Sequence, residues 1–351
     1  MFFVVTRHDE NGDEGRHGGR RSAVLRAAGL TLAAALVLGV AGAGWVYWHL
    51  DNNIKSVDIN SALGDDRPAR PLVAPSPDAS PLPTEAVNIL VLGSDSRSGK
   101  ANKTLGGGDS TGARSDTAMV VHIDAGRTSA TVVSIPRDTL VTRPSCPLPS
   151  GGSTAVAYNA MFNSAYAVGG PVCAVKTVEA MTDVRMDHYV EIDFAGFAKL
   201  VDALGGVDVT TDQDIDDDLS HLHLEKGTHH LDGTQALALA RTRHGIGDGS
   251  DLGRIALQQK LVKALLTQMA ATDLLTDPAK LYRVADAVTA SLTTDTGLDS
   301  LNELMGLGRS LKGLSADSAR TVTMPVLPAP SDPNRVVARE PAAGDLWESL
   351  R

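Results

Sequence analysis

The sequence predicts an α/β fold in which a mixed β-sheet lies between helical layers, a three-layer α/β/α arrangement. Val87–Leu92 is a nearly continuous apolar run, which is typical of a strand buried on both faces. From Phe194 to Leu204, apolar residues recur at helical spacing instead. Such strand and helix patterns alternate along residues 85–351, and no linker-like stretch interrupts them. The pattern therefore favours one α/β domain over this range.

The N-terminal part of the chain is predicted to cross a membrane once. Residues 27–48 contain no charged side chain and are long enough to span a bilayer as one helix. Arginines precede this segment and aromatic residues close it, which favours residues 1–26 in the cytoplasm and the remainder outside the cell membrane. A cleaved signal peptide is the alternative, because Ala41-Gly42-Ala43 resembles a signal peptidase site.

Residues 49–84 are predicted to be an extracytoplasmic linker. Between Ser61 and Pro83 the chain is rich in Pro, Ala, Ser and Asp and has few large apolar residues. Residues 85–351 then form the single folded domain. The chain carries a net charge of −10, which argues against nucleic acid as a partner. Arginines that stand in motifs despite this acidic background are the informative ones.

The elements of the domain are predicted in a regular order. The predicted strands are Val87–Leu92, Ala118–Ile123, Thr131–Ile135, Tyr189–Ile192, Val207–Val209 and a last strand near Thr321–Val326. The predicted helices are Phe194–Leu204, Asp232–Ala240, Leu252–Ala270 and Pro278–Ala290. Gly205-Gly206 should end the first helix, and Asp232 with Gln235 gives the second a capping-box-like start.

Charged residues stand at the ends of the apolar runs. They are Asp95 and Arg97, Arg114 and Asp116, Arg137, Arg241 and Arg243, and Arg254. Guanidinium groups match phosphate oxygens, and carboxylates hold the Mg²⁺ that accompanies a phosphate. The pattern therefore predicts a phosphate-and-metal site at one rim of the sheet, with a diphosphate as the favoured ligand.

The spacing of Arg241 and Arg243 predicts where their helix ends. Two residues apart on a helix, side chains point about 200° away from each other, whereas in an extended segment they share a face. The helix should therefore end near Arg241 so that both arginines reach one anion. The alternative is two exposed arginines that complement the dipole at a helix C-terminus.

Cys146 and Cys173 are the two cysteines of the chain. Both fall on the predicted outer side of the membrane, where disulfides persist, and we expect them to be bonded to each other. A cysteine nucleophile is the alternative, but neither cysteine has an adjacent basic residue that would activate its thiol.

Two further clusters are weaker candidates for metal binding. Asp212, Asp214 and Asp216 begin like a calcium-binding EF-hand loop, but Asp217 stands where that loop requires glycine. We expect a solvated acidic loop there. Four histidines could bind Zn²⁺, but they lack clean ligand spacing, so an exposed loop is favoured. They are His221, His223, His229 and His230.

The chain resembles the LytR-CpsA-Psr family of cell-wall phosphotransferases from about Val87 to Val326. The resemblance rests on ordered sequence blocks, each of which alone would be weak. Among them are Asn88–Arg97, Arg114–Thr117, Ser134–Asp138, Leu231–Leu237, Arg241–Arg243 and Asp251–Ile255. All of the blocks in this order make a strong signal.

The resemblance implies transfer of an anionic glycopolymer from a polyprenyl diphosphate carrier to peptidoglycan, with Mg²⁺ as cofactor and a phosphodiester as product. It implies that Asp95 and Asp116 are the Mg²⁺ ligands. The implied diphosphate contacts are Arg114, Arg137, Arg241, Arg243 and Gln258, with Arg97 and Arg254 in the same charge network. Met161 stands where the family commonly has a lysine that contacts phosphate, and Leu257 where it commonly has an arginine.

A general base is harder to assign. Asp251 and Asp138 are candidates by position, and each has the alternative role of orienting an arginine. Two other functions stay open: a polyprenyl diphosphate hydrolase, and a membrane-anchored polymer-binding or regulatory protein without catalysis. Paired carboxylates favour an enzyme, because binding a diphosphate gains nothing from Asp95 and Asp116 unless a metal intervenes. The sequence does not specify the polymer or the acceptor hydroxyl.

Overall fold

The computed structural model of the protein describes residues 36–70, 85–94, 115–148, 150–242, 251–271, 277–315 and 317–351. The chain divides into two compact units, Met1–His49 and Leu50–Arg351. Residues 36–49 of the first unit are helical, and residues 27–35 of the predicted membrane span lie outside the described part. No helix among the described residues combines the length and the apolar character needed to cross a membrane.

A seven-stranded mixed sheet forms the centre of the second unit. In spatial order its strands are β1 (Lys55–Val57), β12 (Leu292–Asp295), β7 (His188–Asp193), β2 (Val87–Ser94), β3 (Ser115–Ile123), β4 (Ala130–Ile135) and β13 (Ala319–Thr323). The pairs β1/β12, β7/β2 and β4/β13 are parallel, and the other neighbours are antiparallel. The predicted α/β class with a central mixed sheet is confirmed.

The other elements described here are helices and the strands of short two-stranded ribbons. The helices are α1 (Ile59–Leu63), α2 (Asn163–Thr182), α3 (Phe194–Leu204), α4 (Gly233–Arg241), α5 (Asp251–Ala271), α6 (Pro278–Ser291), α7 (Leu301–Ser310) and α8 (Ala342–Glu348). The ribbon strands are β5 (Leu140–Arg143) with β6 (Ala157–Met161), β8 (Val207–Thr211) with β11 (Gly227–Leu231), β9 (Ile215–Asp217) with β10 (Leu222–Leu224), and β14 (Val326–Ala329) with β15 (Asp332–Ala338).

Helices cover both faces of the central sheet. On one face, α1, α2 and α8 share a hydrophobic core with Leu90 and Leu92 of β2. On the other face, Leu307 of α7 packs into a core with Ile89. Because successive strand residues point to opposite faces, both faces of β2 must be apolar. This explains the continuous apolar run of β2 in the sequence.

A second core lies between α3, α4, α5 and the two ribbons β8/β11 and β9/β10. Val201 of α3, Leu239 of α4 and Leu257 of α5 are buried in it. Gly233, the first residue of α4, makes this packing possible, because a Cβ there would lie 2.1 Å from the carbonyl oxygen of Ala198 in α3. The two helices therefore touch backbone to backbone where α4 begins.

Part of the segment predicted as a linker belongs to the folded unit. β1 pairs with β12 at the edge of the sheet. Leu63 is buried in the core, and the buried side chain of Arg67 pairs with Glu179 at 2.6 Å. The folded unit therefore extends well before residue 85, and residues 71–84 lie outside the described part. One short strand and a one-turn helix contribute too few apolar residues to reveal this in the composition.

The boundaries of the predicted elements mostly follow the sequence predictions, but the helices α2, α7 and α8 and the strand β12 were not predicted. Three of the predictions also differ from the structure. The last strand predicted near Thr321–Val326 is wrong in extent, because β13 ends at Thr323 and Val326 begins the separate ribbon β14/β15. The acidic loop predicted around Asp216 is wrong in part, because Ile215–Asp217 forms β9. The loop predicted for the histidines contains strands instead, since His229 and His230 lie on β11.

Cys146 and Cys173 are joined by a disulfide, which is the pairing expected from the sequence. The bond links the loop after β5 to α2. It lies next to a break in α2 at Gly169 and Gly170, where Gly170 adopts a φ of 63°. Both cysteine side chains are fully buried, together with Ala165. The disulfide thus fixes the ribbon β5/β6 against the sheet-covering helix.

Candidate functional site

The candidate site is a cavity of about 270 Å³ at the end of the sheet where β3 begins. The strands β2, β4 and β7 end at the same rim, as their pairing with β3 and with each other shows. The cavity walls include Asp116 and Thr117 of β3, Phe194 of α3, Arg241 of α4, and Arg254 and Gln258 of α5. Residues from four elements that are distant in sequence therefore meet in one place.

Arg137 and Asp116 form the central ion pair at this rim. Pro136 ends the run of β4, and Arg137 follows it, so that its Nη1 donates to Asp116 Oδ1 at 2.6 Å. Burial lowers the pKa of Arg137, but the negative charges of Asp116, Asp138 and Asp251 raise it, and the net pKa is raised. Arg137 therefore stays positively charged at every physiological pH.

Asp251, the first residue of α5, holds two arginines in place. Its Oδ2 accepts a hydrogen bond from the backbone N–H of Arg137 at 3.2 Å, and its Oδ1 lies 3.6 Å from Arg137 Nε. The same carboxylate contacts the guanidinium of Arg254. Asp138 lies in a similar way between Arg137 at 3.6 Å and Arg335 at 3.2 Å. Both carboxylates have the contacts of residues that orient arginines.

Arg254 and Gln258 connect α5 to the strand that carries Asp116. The Arg254 side chain is 3% exposed, and its Nη2 donates to the backbone oxygen of Asp116 at 3.0 Å. The Gln258 amide donates to Thr117 Oγ1 and to the backbone oxygen of Ala240, both at 2.9 Å. These contacts fix the start of β3 against the end of α4, and both parts line the cavity.

Arg241 stands at the last position of α4. Thr242 leaves the helix with φ −55° and ψ 131°, so the chain becomes extended directly after Arg241. The structure thus ends the helix where the spacing of Arg241 and Arg243 predicted it. The Arg241 guanidinium carbon lies 5.0 Å from the centre of the Phe194 ring, in a cation–π contact that limits its motion.

The structure brings together all the predicted site residues that it describes. Asp116, Arg137, Asp251 and Arg254 are linked by direct contacts. Arg241 and Gln258 lie on the walls of the same cavity. The other predicted site residues, Asp95, Arg97, Arg114 and Arg243, lie outside the described part of the chain.

Comparison with known proteins decides the family of the chain. A model of the LytR_cpsA_psr family matches residues 46–350. The chain belongs to the LytR-CpsA-Psr family. The cell wall biosynthesis protein LcpA of Corynebacterium glutamicum is 33% identical over 264 residues, which cover 69% of this chain and 50% of that protein. The chain thus spans about half the length of this relative.

Two further relatives share the domain. The polyisoprenyl-teichoic acid–peptidoglycan teichoic acid transferase TagU of Bacillus cereus is 37% identical over 217 residues, covering 62% of this chain and 64% of TagU. The crystal structure of TagV from B. subtilis aligns with a TM-score of 0.58 and 27% identity, covering 76% of this chain and 96% of TagV. The LytR-CpsA-Psr resemblance stated from the ordered motifs is confirmed.

The ribbon β9/β10 adds cavity residues that the sequence did not reveal. Asp217 is 1% exposed, and its Oδ1 accepts hydrogen bonds from the backbone N–H groups of Leu219 and Ser220 at 3.0 and 3.3 Å. Ser220 Oγ lies 2.9 Å from Thr242 Oγ1, which ties the ribbon to the end of α4. In this LytR-CpsA-Psr chain, no sequence signal separates Asp217 from its exposed neighbours Asp216 and Asp218.

The histidines considered for Zn²⁺ have separate partners in the structure. His230 pairs with Asp208 at 2.6 Å, and His229 Nε2 lies 2.6 Å from the backbone oxygen of Glu225. Within the described ranges, a metal ion could be reached jointly by Asp216, Asp218 and His223, all of them exposed on β9/β10. Exposed acidic groups of this kind are common without an ion.

Proposed function

We propose that the protein transfers an anionic glycopolymer from a polyprenyl diphosphate carrier to peptidoglycan and forms a phosphodiester. The observation that carries this proposal is the convergence of Asp116, Arg137, Arg241 and Arg254 at one cavity and its rim. The name of the related TagU, a transferase between polyisoprenyl-linked teichoic acid and peptidoglycan, supports the same donor and acceptor classes. The membership of the LytR-CpsA-Psr family agrees with them.

The arginines match the charge that such a reaction develops. Attack of a sugar hydroxyl on a diphosphate spreads negative charge over the equatorial oxygens and the leaving phosphate. Catalysis then depends on donors that are already in position, because donors that need not reorganise stabilise the transition state most. Arg137 is held by Asp116 and Asp251, and Arg241 by the Phe194 ring. Polyprenyl phosphate would be the leaving group.

The residues at the rim fit a Mg²⁺ ion. Asp116 offers a carboxylate on the cavity wall, which is the hard oxygen ligand that Mg²⁺ prefers. Together with Asp95, which lies outside the described residues, Asp116 would hold the ion. When bound, Mg²⁺ supplies positive charge beside the diphosphate oxygens. The chain itself orients the substrate through Arg137 and Arg241.

The carboxylates Asp251 and Asp138 act on the arginines in this proposal. Asp251 contacts both Arg137 and Arg254, so it sets the distance between two positive charges at the rim. Asp138 forms ion pairs with both Arg137 and Arg335. Each carboxylate neutralises part of the local positive charge and fixes a guanidinium plane, which prepares the site for a planar, bidentate contact with phosphate oxygens.

We place the folded unit outside the cytoplasm, with residues 27–48 as a single membrane anchor. The uncharged segment, the preceding arginines and the closing aromatic residues support this orientation. The disulfide between Cys146 and Cys173 supports an oxidising compartment. A polyprenyl carrier lies in the same membrane, so the anchor would keep enzyme and donor together.

The test is a transfer assay with the full-length chain in detergent. A radiolabelled polyprenyl diphosphate-linked glycopolymer is incubated with and without peptidoglycan, and with Mg²⁺ or a chelator. We expect label in the insoluble peptidoglycan only when acceptor and Mg²⁺ are both present. Free polymer released equally without acceptor would indicate a hydrolase. Donor that stays intact in both arms would reject catalysis and leave a polymer-binding protein.

A further inference from the structure

At the other end of the sheet, where β2 and β7 begin, two neighbouring cavities of about 250 and 310 Å³ share Arg70, Glu85 and Asp187 in their walls. We call this region the opposite rim. Asn88 at this rim and Ser94 at the end with the candidate site are six residue steps apart along β2, which corresponds to about 20 Å. The opposite rim is therefore distinct from the catalytic cavity.

Positive charge predominates at the opposite rim. The arginines in its walls are Arg70, Arg127, Arg185 and Arg351, and the carboxylates are Glu85, Asp183 and Asp187. Arg70 pairs with Asp187 at 2.8 Å, and Arg351 pairs with Asp183 at 2.9 Å. Among the side chains of these walls, four guanidinium groups therefore face three carboxylates, in a chain whose net charge is −10.

Arg185 is the arginine that is left over. Within the part of the chain that the structure describes, its guanidinium has no ion-pair partner, and its buried Nε has no hydrogen-bond acceptor. Burial lowers the pKa of Arg185, the charges of Arg67 and Arg70 lower it further, and Glu179 and Asp187 offset this only in part. An arginine carries five N–H donors, and a bound anion would satisfy them.

A histidine held in a fixed orientation lines the larger of the two cavities. His188 Nδ1 lies 3.2 Å from Asp295 Oδ2, and this carboxylate oxygen also accepts from the backbone N–H of Tyr189 at 2.8 Å. Asp295 is 2% exposed, so it is anchored in the interior. The imidazole of His188 therefore adds a positioned polar group beside Arg70 and Arg127.

We propose that the opposite rim binds a phosphodiester group, with Arg185 as its principal ligand. Guanidinium groups match tetrahedral oxyanions through paired N–H donors. A monoanionic phosphodiester fits these walls better than a phosphate dianion, because Glu85 and Asp187 repel the second negative charge of the dianion as well as the first. The group could belong to a repeating wall polymer or to a small phosphodiester, and both present the same chemistry. The site stands independently of the proposed transfer reaction.

The test is a ³¹P NMR titration of dimethyl phosphate with the full-length chain in a detergent without phosphorus. We expect two saturable binding events, one at each end of the sheet. Arg185→Gln should weaken one event about tenfold, since it removes a charge-assisted contact worth about one decade in affinity. Arg241→Gln should weaken the other event. Arg283→Gln, on the exposed surface of α6, removes the same charge elsewhere and should change neither.

Among the described residues the Arg185 side chain forms no ion pair, and its Nε has no hydrogen-bond partner, so Arg185→Gln should unfold near the wild-type temperature. Arg185→Lys keeps the charge and should bind with intermediate affinity. The proposal fails if Arg185→Gln and Arg283→Gln give the same isotherm as the wild type. A glycerol phosphate oligomer identifies the source: binding at least tenfold tighter than dimethyl phosphate indicates a polymer that also engages neighbouring cations, and equal affinity indicates a small phosphodiester.

Discussion

The arginines at the two ends of the central sheet differ in how firmly their guanidinium groups are held. At the end that holds the candidate site, Arg137 is held by carboxylates, Arg254 is buried against β3, and Arg241 lies over an aromatic ring. At the opposite rim, Arg185 has no such partner among the described residues, and the Arg70 side chain is 55% exposed. Fixed guanidinium groups suit catalysis, which depends on charges in place before the reaction. Guanidinium groups that are held less firmly suit reversible binding of an anion.

The largest effect that this contrast predicts is loss of transfer in Arg137→Gln. The substitution removes a fixed cation from a rim that then holds Asp116, Asp138 and Asp251 with less compensation. Loss of one preorganised donor should reduce the transfer rate about 100- to 1,000-fold. The measurement is the initial transfer rate in the radiolabel assay, together with a thermal unfolding curve that shows whether the variant is folded at the assay temperature.

Arg335→Gln is the matched control for Arg137→Gln. Arg335 Nη1 lies 3.2 Å from Oδ1 of Asp138, which also pairs with Arg137. The other carboxylate that Arg335 pairs with among the described residues is Asp332, whereas Arg137 also pairs with Asp116 and Asp251. Its removal should change the transfer rate less than about threefold, as expected for one partly exposed ion pair. Equal losses in the two variants would show that Asp138, rather than the guanidinium of Arg137, controls activity.

Asp251→Asn should have the next largest effect. Asparagine can still accept from the Arg137 N–H, but it loses the charge that holds Arg137 and Arg254 together. A positioning role predicts a fall in kcat of about tenfold, since one charge-assisted contact is lost. The shape of the pH–rate profile should be unchanged. Disappearance of one limb of that profile would instead identify Asp251 as a general base.

The part of the fold around the candidate site could be predicted from sequence where the signals are local. α3 begins and ends where its apolar spacing and Gly205 predicted, and α4 has the predicted capping box of Asp232 and Gln235. Each signal depends on contacts within a few residues of the chain. The convergence of Arg137, Arg241 and Asp116 followed from the family motifs rather than from any one element.

The sequence did not predict the strands and buried polar residues that depend on partners far away in the chain. The ribbons β5/β6 and β14/β15 have few buried residues, so their strands carry no clear apolar alternation. β1 lies in a polar stretch and is a strand because β12 pairs with it. Asp217 is buried only because the β9/β10 turn folds over the cavity. Burial of a polar residue by a neighbouring element has no local signal in the sequence.

Ser220→Ala should produce a smaller effect, because Ser220 acts through Thr242. Ser220 Oγ lies 2.9 Å from Thr242 Oγ1, and either hydroxyl can be the donor of this hydrogen bond. Loss of this bond loosens the chain directly after Arg241 and should lower the transfer rate about three- to tenfold. Ser220→Thr keeps the hydroxyl and should restore the rate. Ser310→Ala, on α7, is the control and should have no effect.

The smallest effect on transfer is predicted for Asp295→Asn at the opposite rim. Its carboxylate binds His188 and two backbone N–H groups, so it stabilises the fold at a distance from the catalytic cavity. Transfer should stay within about twofold of the wild type, whereas the free energy of unfolding at pH 7 should fall by about 1–3 kcal/mol. Urea denaturation measures this directly.

The pH dependence of the loss of unfolding free energy in Asp295→Asn separates the contribution of the carboxylate charge from that of packing. Burial raises the pKa of Asp295, but its hydrogen bonds with His188, Tyr189 and Gly297 lower it more, so the net pKa is lowered. A depressed carboxyl pKa stabilises the fold above the unfolded pKa of about 3.9, and the contribution disappears as the pH falls through the folded value. The difference between wild type and Asp295→Asn should therefore shrink below about pH 4. A difference that stays constant down to pH 3 would mean that the carboxylate charge contributes nothing, and that this end of the sheet is held by packing alone.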